Sequence, residues 1–335
     1  GKYPKKFEEK YKELQPEKYK DTIEHVIKKG NTPAGMHISI MVNEILDFLK
    51  IQPGETGFDA TLGYGGHTKA MLQCLKGQGH IYATDVDPEE SARTRKRLEE
   101  AGFGEDILTI RLQNFCTIDE IAKEAGGFDF IIADLGVSSM QIDNPKRGFS
   151  FKVDGPLDLR LNQEAGISAA ERLAAITKDE LAGMLYENSD EPYCEELAKA
   201  ITDEIRKGNR IDTTTKLRNI IEKTLDFLPE KEKKDTIKKT CQRTFQALRI
   251  DVNREFEVLY EFMEKLPDAL KPGGRAAILT FHSGEDKLVK KALKEGYRAG
   301  IYADYAKDVI RPSAQECAQN GRARSTKMRW AIKAE

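Results

Sequence analysis

The chain has 335 residues, of which 39% are hydrophobic and 33% are charged. This composition can form a hydrophobic core and excludes a wholly disordered chain, and the length suggests two domains. The 54 basic and 56 acidic side chains give a net charge of −2. That balance excludes a uniformly basic nucleic-acid coat but is compatible with local basic patches.

The sequence gives no indication of a membrane span, a disulfide framework or a metal site. No apolar run approaches the roughly 20 residues that a transmembrane helix needs, and no signal-peptide pattern opens the chain. The five cysteines are scattered without a CxxC pair, and the five histidines are dispersed. We therefore expect a cytoplasmic protein with reduced thiols and no bound metal.

The first half of the chain predicts a short extension followed by an α/β domain. Residues 1–36 predict a helical N-terminal extension, because apolar residues recur at near-helical spacing among lysines and glutamates. From residue 37 onward, short apolar strands alternate with charged helical segments, which is typical of a parallel sheet covered by helices. Four strands are predicted in this part, at residues 56–60, 80–84, 107–111 and 128–133.

The alternation stops after the fourth strand. Residues 141–250 have a mostly helical pattern and predict an inserted helical domain. The strand and helix alternation then resumes with a helix at 256–266, a turn at 270–274, a strand at 275–280 and a final strand at 326–332. The prediction is one α/β domain made of residues 37–140 and 251–335, interrupted by the helical domain.

Glycine and acidic residues follow the predicted strands. In the glycine-rich turn after the first strand, Gly65 and Gly66 let the backbone approach a ligand. Asp85 ends the second strand, 19 residues after Gly66, about where a carboxylate meets the ribose of an adenosine cofactor. Ligands of parallel sheets bind beyond the carboxyl ends of the strands. Four residues at or just past such ends therefore predict a nucleotide site: Asp59, Asp85, Phe115 and Asp134.

Both NAD and S-adenosylmethionine are compatible with an acid after the second strand. The Leu-Lys-Pro-Gly-Gly turn before the late strand and the hairpin-like final strand favour a methyltransferase. The lack of a GxGxxG fingerprint also argues against a dinucleotide.

Several segments carry a family resemblance. They are Asp134-Leu-Gly-Val-Ser-Ser-Met-Gln-Ile-Asp continuing through Arg147-Gly-Phe-Ser-Phe to Asp154-Gly-Pro-Leu-Asp-Leu-Arg160, then Arg243-Thr-Phe-Gln-Ala-Leu-Arg249, Phe281-His-Ser283 and Arg322-Ala-Arg-Ser325. Over residues 37–335 the chain resembles the RsmH (MraW) family. These are S-adenosylmethionine-dependent methyltransferases that modify N4 of a cytidine in small-subunit ribosomal RNA. The resemblance implies a class I methyltransferase fold with an inserted substrate-recognition domain, ribosomal RNA or a ribosomal subunit as partner, and a homodimer.

The resemblance also implies the residues that contact the cofactor, but it assigns no catalytic base, so the catalytic candidates come from the chemistry of the reaction. The implied cofactor contacts are Gly65, Gly66, His67, Asp85, Phe115, Asp134 and Gln141. As catalytic candidates, Asp134 would accept amino hydrogens of the target base, and Ser138 and Ser139 would bond its edge. In the alternative interpretation, Asp134 only anchors the cofactor and the two serines cap a turn. A base contact is plausible for His282, and Ser283 with Asp286 predicts a helix capping box.

Local basic residues are the candidates for RNA contact, because the net charge is nearly zero. The residues predicted for this role are Arg147, Arg160, Arg243, Arg322 and Arg324, with Lys327 and Arg329 nearby in the tail. Lysines in residues 231–239 are further candidates, although the interspersed acids there equally fit a solvated helix face.

Some positions depart from the family pattern. Ala60 replaces a glycine, Gly284 replaces a leucine, residues 186–191 replace a Tyr-Gly-Glu-Glu stretch, and residues 239–242 lack the usual His-Pro pair. Because the departures lie on the substrate side, a second hypothesis is the same chemistry at another ribosomal RNA site. A third is a catalytically silent ribosome-assembly factor. DNA amino methyltransferases commonly carry [DNS]PP[YFW] where this chain has Asp134-Leu-Gly-Val, which argues against that class.

Overall fold

A computed structural model describes residues 39–335, and the predicted extension at 1–36 lies outside them. The chain divides into two compact units, of which the second is Ser139–Glu255 and the first is the remainder on either side. Among the described residues, no helix is both long and apolar enough to cross a membrane. The same residues contain no group of three or more histidines, cysteines and acids placed to hold a metal ion.

The first unit begins with strands that alternate with helices. In chain order its elements are α1 (Val42–Leu49), β1 (Thr56–Asp59), α2 (Gly66–Leu75), β2 (His80–Asp85), α3 (Pro88–Glu100), β3 (Leu108–Leu112), α4 (Ile118–Ala125) and β4 (Phe128–Asp134). Asp87 caps α3 by accepting the N–H groups of Glu89 and Glu90 at 3.0 and 3.1 Å, and Pro88 opens the helix. This is a strong N-terminal signal, because proline lacks the N–H group that the first turn leaves unpaired.

The second unit is helical. Its helices are α5 (Ser139–Asp143), α6 (Ala169–Ala175), α7 (Lys178–Ser189), α8 (Cys194–Arg206), α9 (Thr214–Thr224) and α10 (Glu230–Val252). Apolar residues of these helices recur at helical spacing and are fully buried, among them Leu181 and Leu185 of α7 and Leu217 and Ile221 of α9. Burial of these apolar faces stabilises the unit.

The chain then returns to the first unit. Its remaining elements are α11 (Glu255–Ala269), β5 (Leu270–Thr280), α12 (Ser283–Arg298), β6 (Tyr302–Tyr305), α13 (Ala314–Gln319) and β7 (Lys327–Lys333). The turn predicted at 270–274 is wrong, because these residues belong to β5. The strand carries an irregular register opposite Phe128 and Phe130, and Gly273 has a φ of 75°. The strand β6 was not predicted from the sequence, because it is short and has two exposed residues.

The strands form one seven-stranded sheet in the order β3-β2-β1-β4-β5-β7-β6. The first five strands in this order run parallel, whereas β7 is antiparallel to both β5 and β6. This confirms the expected α/β class I methyltransferase fold. The strand order changes direction between β1 and β4, and parallel sheets bind ligands at such a switch point.

Both faces of the sheet are covered by apolar side chains. In β4, Phe130 and Ile132 belong to one buried cluster, and Phe128, Ile131 and Ala133 belong to the other. From Phe130 onward the alternation follows from the two-residue period of a strand, whereas Phe128 lies before the irregularity in the register of β4 with β5. Three strands of this sheet end at an acid, namely Asp59, Asp85 and Asp134.

Candidate active site at the carboxyl ends of the strands

The glycine-rich turn between β1 and α2 is held by the neighbouring helix α3. Thr94 donates a hydrogen bond from its hydroxyl to the carbonyl of Gly63, and Arg97 donates to the carbonyl of Tyr64 at 3.1 Å. Gly65 has a φ of 88°, and a Cβ atom there would lie 2.7 Å from the Cγ2 atom of Thr94. Glycine is therefore required at position 65 for both its conformation and its close packing.

The start of α2 offers unpaired backbone donors to a ligand. Gly65 is the N-cap residue, so the helix begins at Gly66 and continues through His67 and Thr68. The first N–H groups of a helix have no partner within the helix, and the helix dipole makes this end attractive to anions. A carboxylate or phosphate would fit there without a basic side chain.

Asp85 lies at the end of β2 with its carboxylate only partly used. One oxygen accepts the N–H of Gly63 at 3.1 Å, and the other accepts the N–H of Asp87 at 3.0 Å. Burial raises the pKa of Asp85, and the negative charge of Asp87 raises it further. A carboxylate oxygen has two lone pairs, so each oxygen can still accept one hydroxyl group. The residue can hold a vicinal diol.

Phe115 stands just past β3 in a short 3-10 turn, Phe115–Thr117. The side chain of Asn114 caps this turn by accepting the N–H of Cys116 at 3.1 Å. The ring of Phe115 packs edge-on against Phe262 of α11, with centroids 5.1 Å apart. Because Phe115 is only half-buried, part of its ring remains available to stack on a flat ligand.

Two carboxylates, those of Asp59 and Asp134, lie at the ends of the neighbouring strands β1 and β4. Asp59 is 1% exposed and accepts the hydroxyl of Thr68 at 2.6 Å and the N–H of Thr61 at 3.0 Å. Thr61 in turn accepts the N–H of Asp134 at 2.7 Å. Burial raises the pKa of Asp59 despite these hydrogen bonds. The network fixes the backbone of Asp134 next to a second acid.

His67 lies between Asp134 and Ile40, which precedes α1. Its Nε2 atom is 2.8 Å from the carbonyl of Ile40, and its Nδ1 atom is 3.5 Å from the Oδ2 atom of Asp134. Burial raises the pKa of Asp134 to about 6; the charge of His67 lowers it and that of Asp59 raises it. A weakly basic, partly exposed carboxylate at this place suits proton acceptance near neutral pH.

Comparison with known proteins places the chain in a family. The MraW methylase family profile matches residues 34–334. The chain belongs to the MraW methylase family. It is similar to the protein of Agathobacter rectalis named ribosomal RNA small subunit methyltransferase H 1, with 87% identity over 100% of this chain and 96% of that protein.

More distant relatives carry similar names. A Lachnoclostridium phytofermentans protein, also named ribosomal RNA small subunit methyltransferase H 1, is 70% identical over 100% of this chain and 91% of its own length. A Koribacter versatilis protein named ribosomal RNA small subunit methyltransferase H is 36% identical over 89% of this chain and 94% of its own length. The similarity therefore extends through most of the chain.

This MraW-family chain is a methyltransferase that depends on S-adenosylmethionine. The first unit offers groups that fit the cofactor. Asp85 suits the ribose diol, Phe115 suits the adenine ring, and the N-terminus of α2 suits the carboxylate of the methionine part. When bound, the cofactor supplies an electrophilic methyl group on a sulfonium.

Replacing Gly65 with alanine should weaken cofactor binding. The side chain would meet Thr94 and would require an unfavourable backbone conformation, which costs about 1–3 kcal/mol. We expect the affinity for S-adenosylmethionine, measured by isothermal titration calorimetry, to fall by at least about tenfold. Gly77→Ala is the control, because Gly77 also has a positive φ but an added Cβ would meet nothing within 4 Å. Equal affinity in the Gly65 variant would contradict the role of the turn.

The remaining predicted site residues are divided between the two units. Ser138, at the end of the first unit, donates its hydroxyl to the Oε2 atom of Glu90 at 3.3 Å. Ser139 and Gln141 belong to α5 in the second unit, and Gln141 is buried. Glu90 is itself buried in α3 and was missed by the sequence analysis, because its interior position depends on the packing of α3.

The capping box predicted after β5 is wrong. The N-cap of α12 is His282 rather than Ser283, and its side chain accepts the N–H of Glu285 at 3.4 Å. Asp286 instead forms a two-point ion pair with Arg329 of β7, at 2.7 and 3.0 Å. Because Arg329 is 5% exposed, it is part of the interior and is not placed to contact phosphates.

Two arginines predicted for RNA contact bind their own chain. Arg147 is 4% exposed and donates to the carbonyl of Leu161 at 2.7 Å. Arg160 forms a two-point ion pair with Asp158 at 2.8 and 3.0 Å. Both arginines therefore bind groups in the loop at residues 147–161 of the second unit, and this geometry favours a structural role.

The other three arginines differ in their surroundings. Arg243 lies 3.3 Å from Glu191, a fully buried acid that the sequence analysis did not single out. Arg322 and Arg324 are exposed and lie on either side of the buried Ala323 in a short 3-10 helix. Only this last pair is presented to solvent as the prediction requires.

The structure explains one of the departures from the family pattern. A Cβ atom on Gly284 would lie 2.7 Å from the ring of Phe256, whose centroid is 5.9 Å from that of His282. Phe256 therefore fills the space that a larger residue at position 284 would need. Glycine at position 284, where the family has leucine, thus fits the packing of Phe256 in this chain.

Proposed function

We propose that this methyltransferase transfers a methyl group to N4 of a cytidine in small-subunit ribosomal RNA. The observation that carries the proposal is Asp134, a carboxylate at the end of β4 with 16% of its side chain exposed. Relatives over nearly the whole chain are named small-subunit ribosomal RNA methyltransferases. The signature that begins at Asp134 also resembles the cytidine-N4 family.

The chemistry explains why an acid is useful there. The lone pair on the cytosine amino nitrogen is delocalised into the ring, so this nitrogen is a poor nucleophile. A hydrogen bond from the amino group to Asp134 would hold the nitrogen in line for attack and draw it toward a tetrahedral shape. The nitrogen becomes acidic as it gains the methyl group, so a carboxylate with a pKa of about 6 is a sufficient acceptor.

The cofactor contacts are part of the same proposal. Gly65, Gly66 and His67 would meet the methionine end through the backbone of the glycine turn, and Asp85 would bind the ribose. Phe115 would lie against the adenine. Gln141 keeps the cofactor contact that the resemblance implies, and Ser138 and Ser139 keep the role of bonding the edge of the target base. Cofactor titrations of single alanine variants test each role.

We further propose that Arg322 and Arg324 bind the phosphates of the RNA. The double variant to alanine should weaken RNA binding and make it less dependent on salt, with the slope reduced by about 1.4 for two single-strand phosphate contacts. Fluorescence anisotropy at several salt concentrations measures this slope. Lys290→Ala with Lys294→Ala is the control, because it removes the same charge from exposed positions on α12. An equal loss in the control would show that only net charge matters.

The activity test uses the purified protein, labelled S-adenosylmethionine and two substrates, naked small-subunit ribosomal RNA and the assembled small subunit. Both substrates come from cells that lack the corresponding modification. Nucleoside mass spectrometry followed by mapping identifies the product. We expect N4-methylcytidine at one position. A methyl group on another atom would contradict the proposal, and cofactor binding without transfer to either substrate would favour a silent assembly factor.

Mapping also tests the hypothesis of a changed target. The packing of Phe256 against Gly284 and the Glu191–Arg243 ion pair both involve positions where the chain departs from the family pattern. N4-methylcytidine at a nucleotide other than the one that family members modify would make the protein a retargeted paralogue. We also propose a cytoplasmic homodimer, as the resemblance implies, and light scattering of the purified protein tests the dimer.

A further inference from the structure

The ring of His67 has one nitrogen for each of two partners. A carbonyl oxygen can only accept a hydrogen bond, so the Nε2 atom, 2.8 Å from the carbonyl of Ile40, must carry a proton. The Nδ1 atom then faces the Oδ2 atom of Asp134 at 3.5 Å. A lone pair on Nδ1 would repel the carboxylate, so this approach is favourable only when a proton lies between the two atoms.

A second buried acid limits the protonation states that His67 and Asp134 can adopt. His67 is 6% exposed, and the carboxylate of Asp59, which is 1% exposed, also acts on Asp134. Asp59 already accepts hydrogen bonds from Thr68 and Thr61. Two acids with one histidine in a buried cluster need a positive charge to keep Asp134 ionised.

We propose that His67 is a positioning residue that orients Asp134 and, as an imidazolium with Nδ1–H directed at Oδ2, keeps it in the ionised form that accepts the substrate amino group. The proposal rests on the proposed amino methylation. It gives the His67 side chain a role separate from the backbone contact with the cofactor that the resemblance implies.

The proton balance of the step is simple. The S–C bond of the donor breaks, the N4–C bond forms, and N4 must then lose one of its two protons. That proton passes to the free oxygen of Asp134, while the electron pair of the N–H bond stays on N4. Since Asp134 is partly exposed and lies beside a cation, it then releases the proton to water and is ready for another turnover.

The first test needs no substrate. Nitrogen-15 spectra of the histidine rings at pH 7 should show a protonated Nδ1 in wild-type His67 and an unprotonated Nδ1 in Asp134→Asn, whose amide can donate to a neutral ring. The His80 signals should be unchanged, because His80 opens β2 and its Nε2 atom bonds to Thr109 at 2.7 Å. The same Nδ1 signal in both proteins would overturn the pairing.

The second test measures the pH dependence of transfer. His67→Gln keeps a donor for the Ile40 carbonyl but removes the charge that lowers the pKa of Asp134. We expect kcat at pH 7 to fall by about tenfold to a hundredfold and the acid limb of the pH profile to move to higher pH, so that much of the activity returns near pH 9. KM for RNA and Kd for S-adenosylmethionine should change less than about threefold.

Controls separate this role from simple folding. His80→Gln should leave the profile unchanged, whereas His67→Asn removes the same charge and also loses the Ile40 contact, so it should show the same shift with a lower rate at every pH. A uniform loss at every pH in His67→Gln would overturn the proposal. Methylation of an atom other than an amino nitrogen would contradict the proposed function, but the nitrogen-15 result would still report on the pair by itself.

Discussion

Asp134→Asn should abolish most of the activity and at the same time stabilise the protein at neutral pH. The variant loses the proton acceptor, so we expect single-turnover transfer to fall by about 10³-fold. It also removes the charge of a mostly buried carboxylate, with 16% of its side chain exposed, whose pKa burial raises from the ordinary 3.8 to about 6. His67 can lose its Nδ1 proton in this variant, so no buried charge is left without a partner.

The pH dependence of this stabilisation has a definite sign. Between pH 3.8 and about 6 the folded wild type binds more protons than the unfolded chain, so its stability falls as the pH rises. The advantage of Asp134→Asn should therefore be full above pH 6, at up to about 3 kcal/mol, and should disappear toward pH 4. Urea unfolding at several pH values measures it.

Asp106→Asn is the control for Asp134→Asn, because Asp106 is an exposed acid in the same unit. It should change neither transfer nor stability by much. An Asp134→Asn enzyme with full activity would remove Asp134 from the mechanism. A variant that is less stable than wild type at pH 7 would show that the carboxylate is net favourable in the fold.

Asp286→Ala should have the opposite effect on stability. Asp286 and Arg329 are 6% and 5% exposed, and Thr280 also donates to Asp286 at 3.2 Å. Removing the acid leaves the guanidinium buried without its main partner, and breaking such a pair costs about 3–5 kcal/mol. Urea unfolding should show this loss, with a much smaller change for the exposed acid Asp308 replaced by alanine.

The pH dependence distinguishes the two acids further. Burial by itself would raise the pKa of Asp286, but the hydrogen bonds and charge of Arg329 lower it below the ordinary 3.8. The ion pair thus contributes to the free energy of unfolding above pH 3.8. This contribution is lost as the pH falls through the lowered pKa of Asp286 in the folded protein. If Asp286→Ala were as stable as wild type at pH 7, the Asp286–Arg329 pair would not stabilise the fold. The double variant Asp286→Leu with Arg329→Leu should recover part of the stability that Asp286→Ala loses.

The order of elements and the position of the crevice could be predicted from local patterns. Three of the parallel strands are short apolar runs that end at an acid, namely Asp59, Asp85 and Asp134. A parallel sheet brings these ends to one edge whatever the details of packing. The cofactor side of the site therefore follows from the sequence pattern together with the family resemblance.

Side-chain partners could not be predicted in this way. His67 and Ile40 are 27 residues apart, Asp286 and Arg329 are 43 apart, and Arg243 and Glu191 are 52 apart. Nothing in the local spacing of these residues marks them as pairs. The capping box predicted at Ser283 was wrong for this reason, whereas the RNA roles of the arginines stay predictions.

The sequence by itself determined the strand and helix order, the family and the set of acids at the strand ends, because these depend on periodicity and on contiguous motifs. Only the tertiary structure decided the surroundings of each charged side chain: Asp134 faces an imidazole, Asp286 faces a guanidinium, and Arg322 and Arg324 are exposed. The physical reason is that the energy of a charge depends on its burial and its partners, which folding brings together from distant parts of the chain.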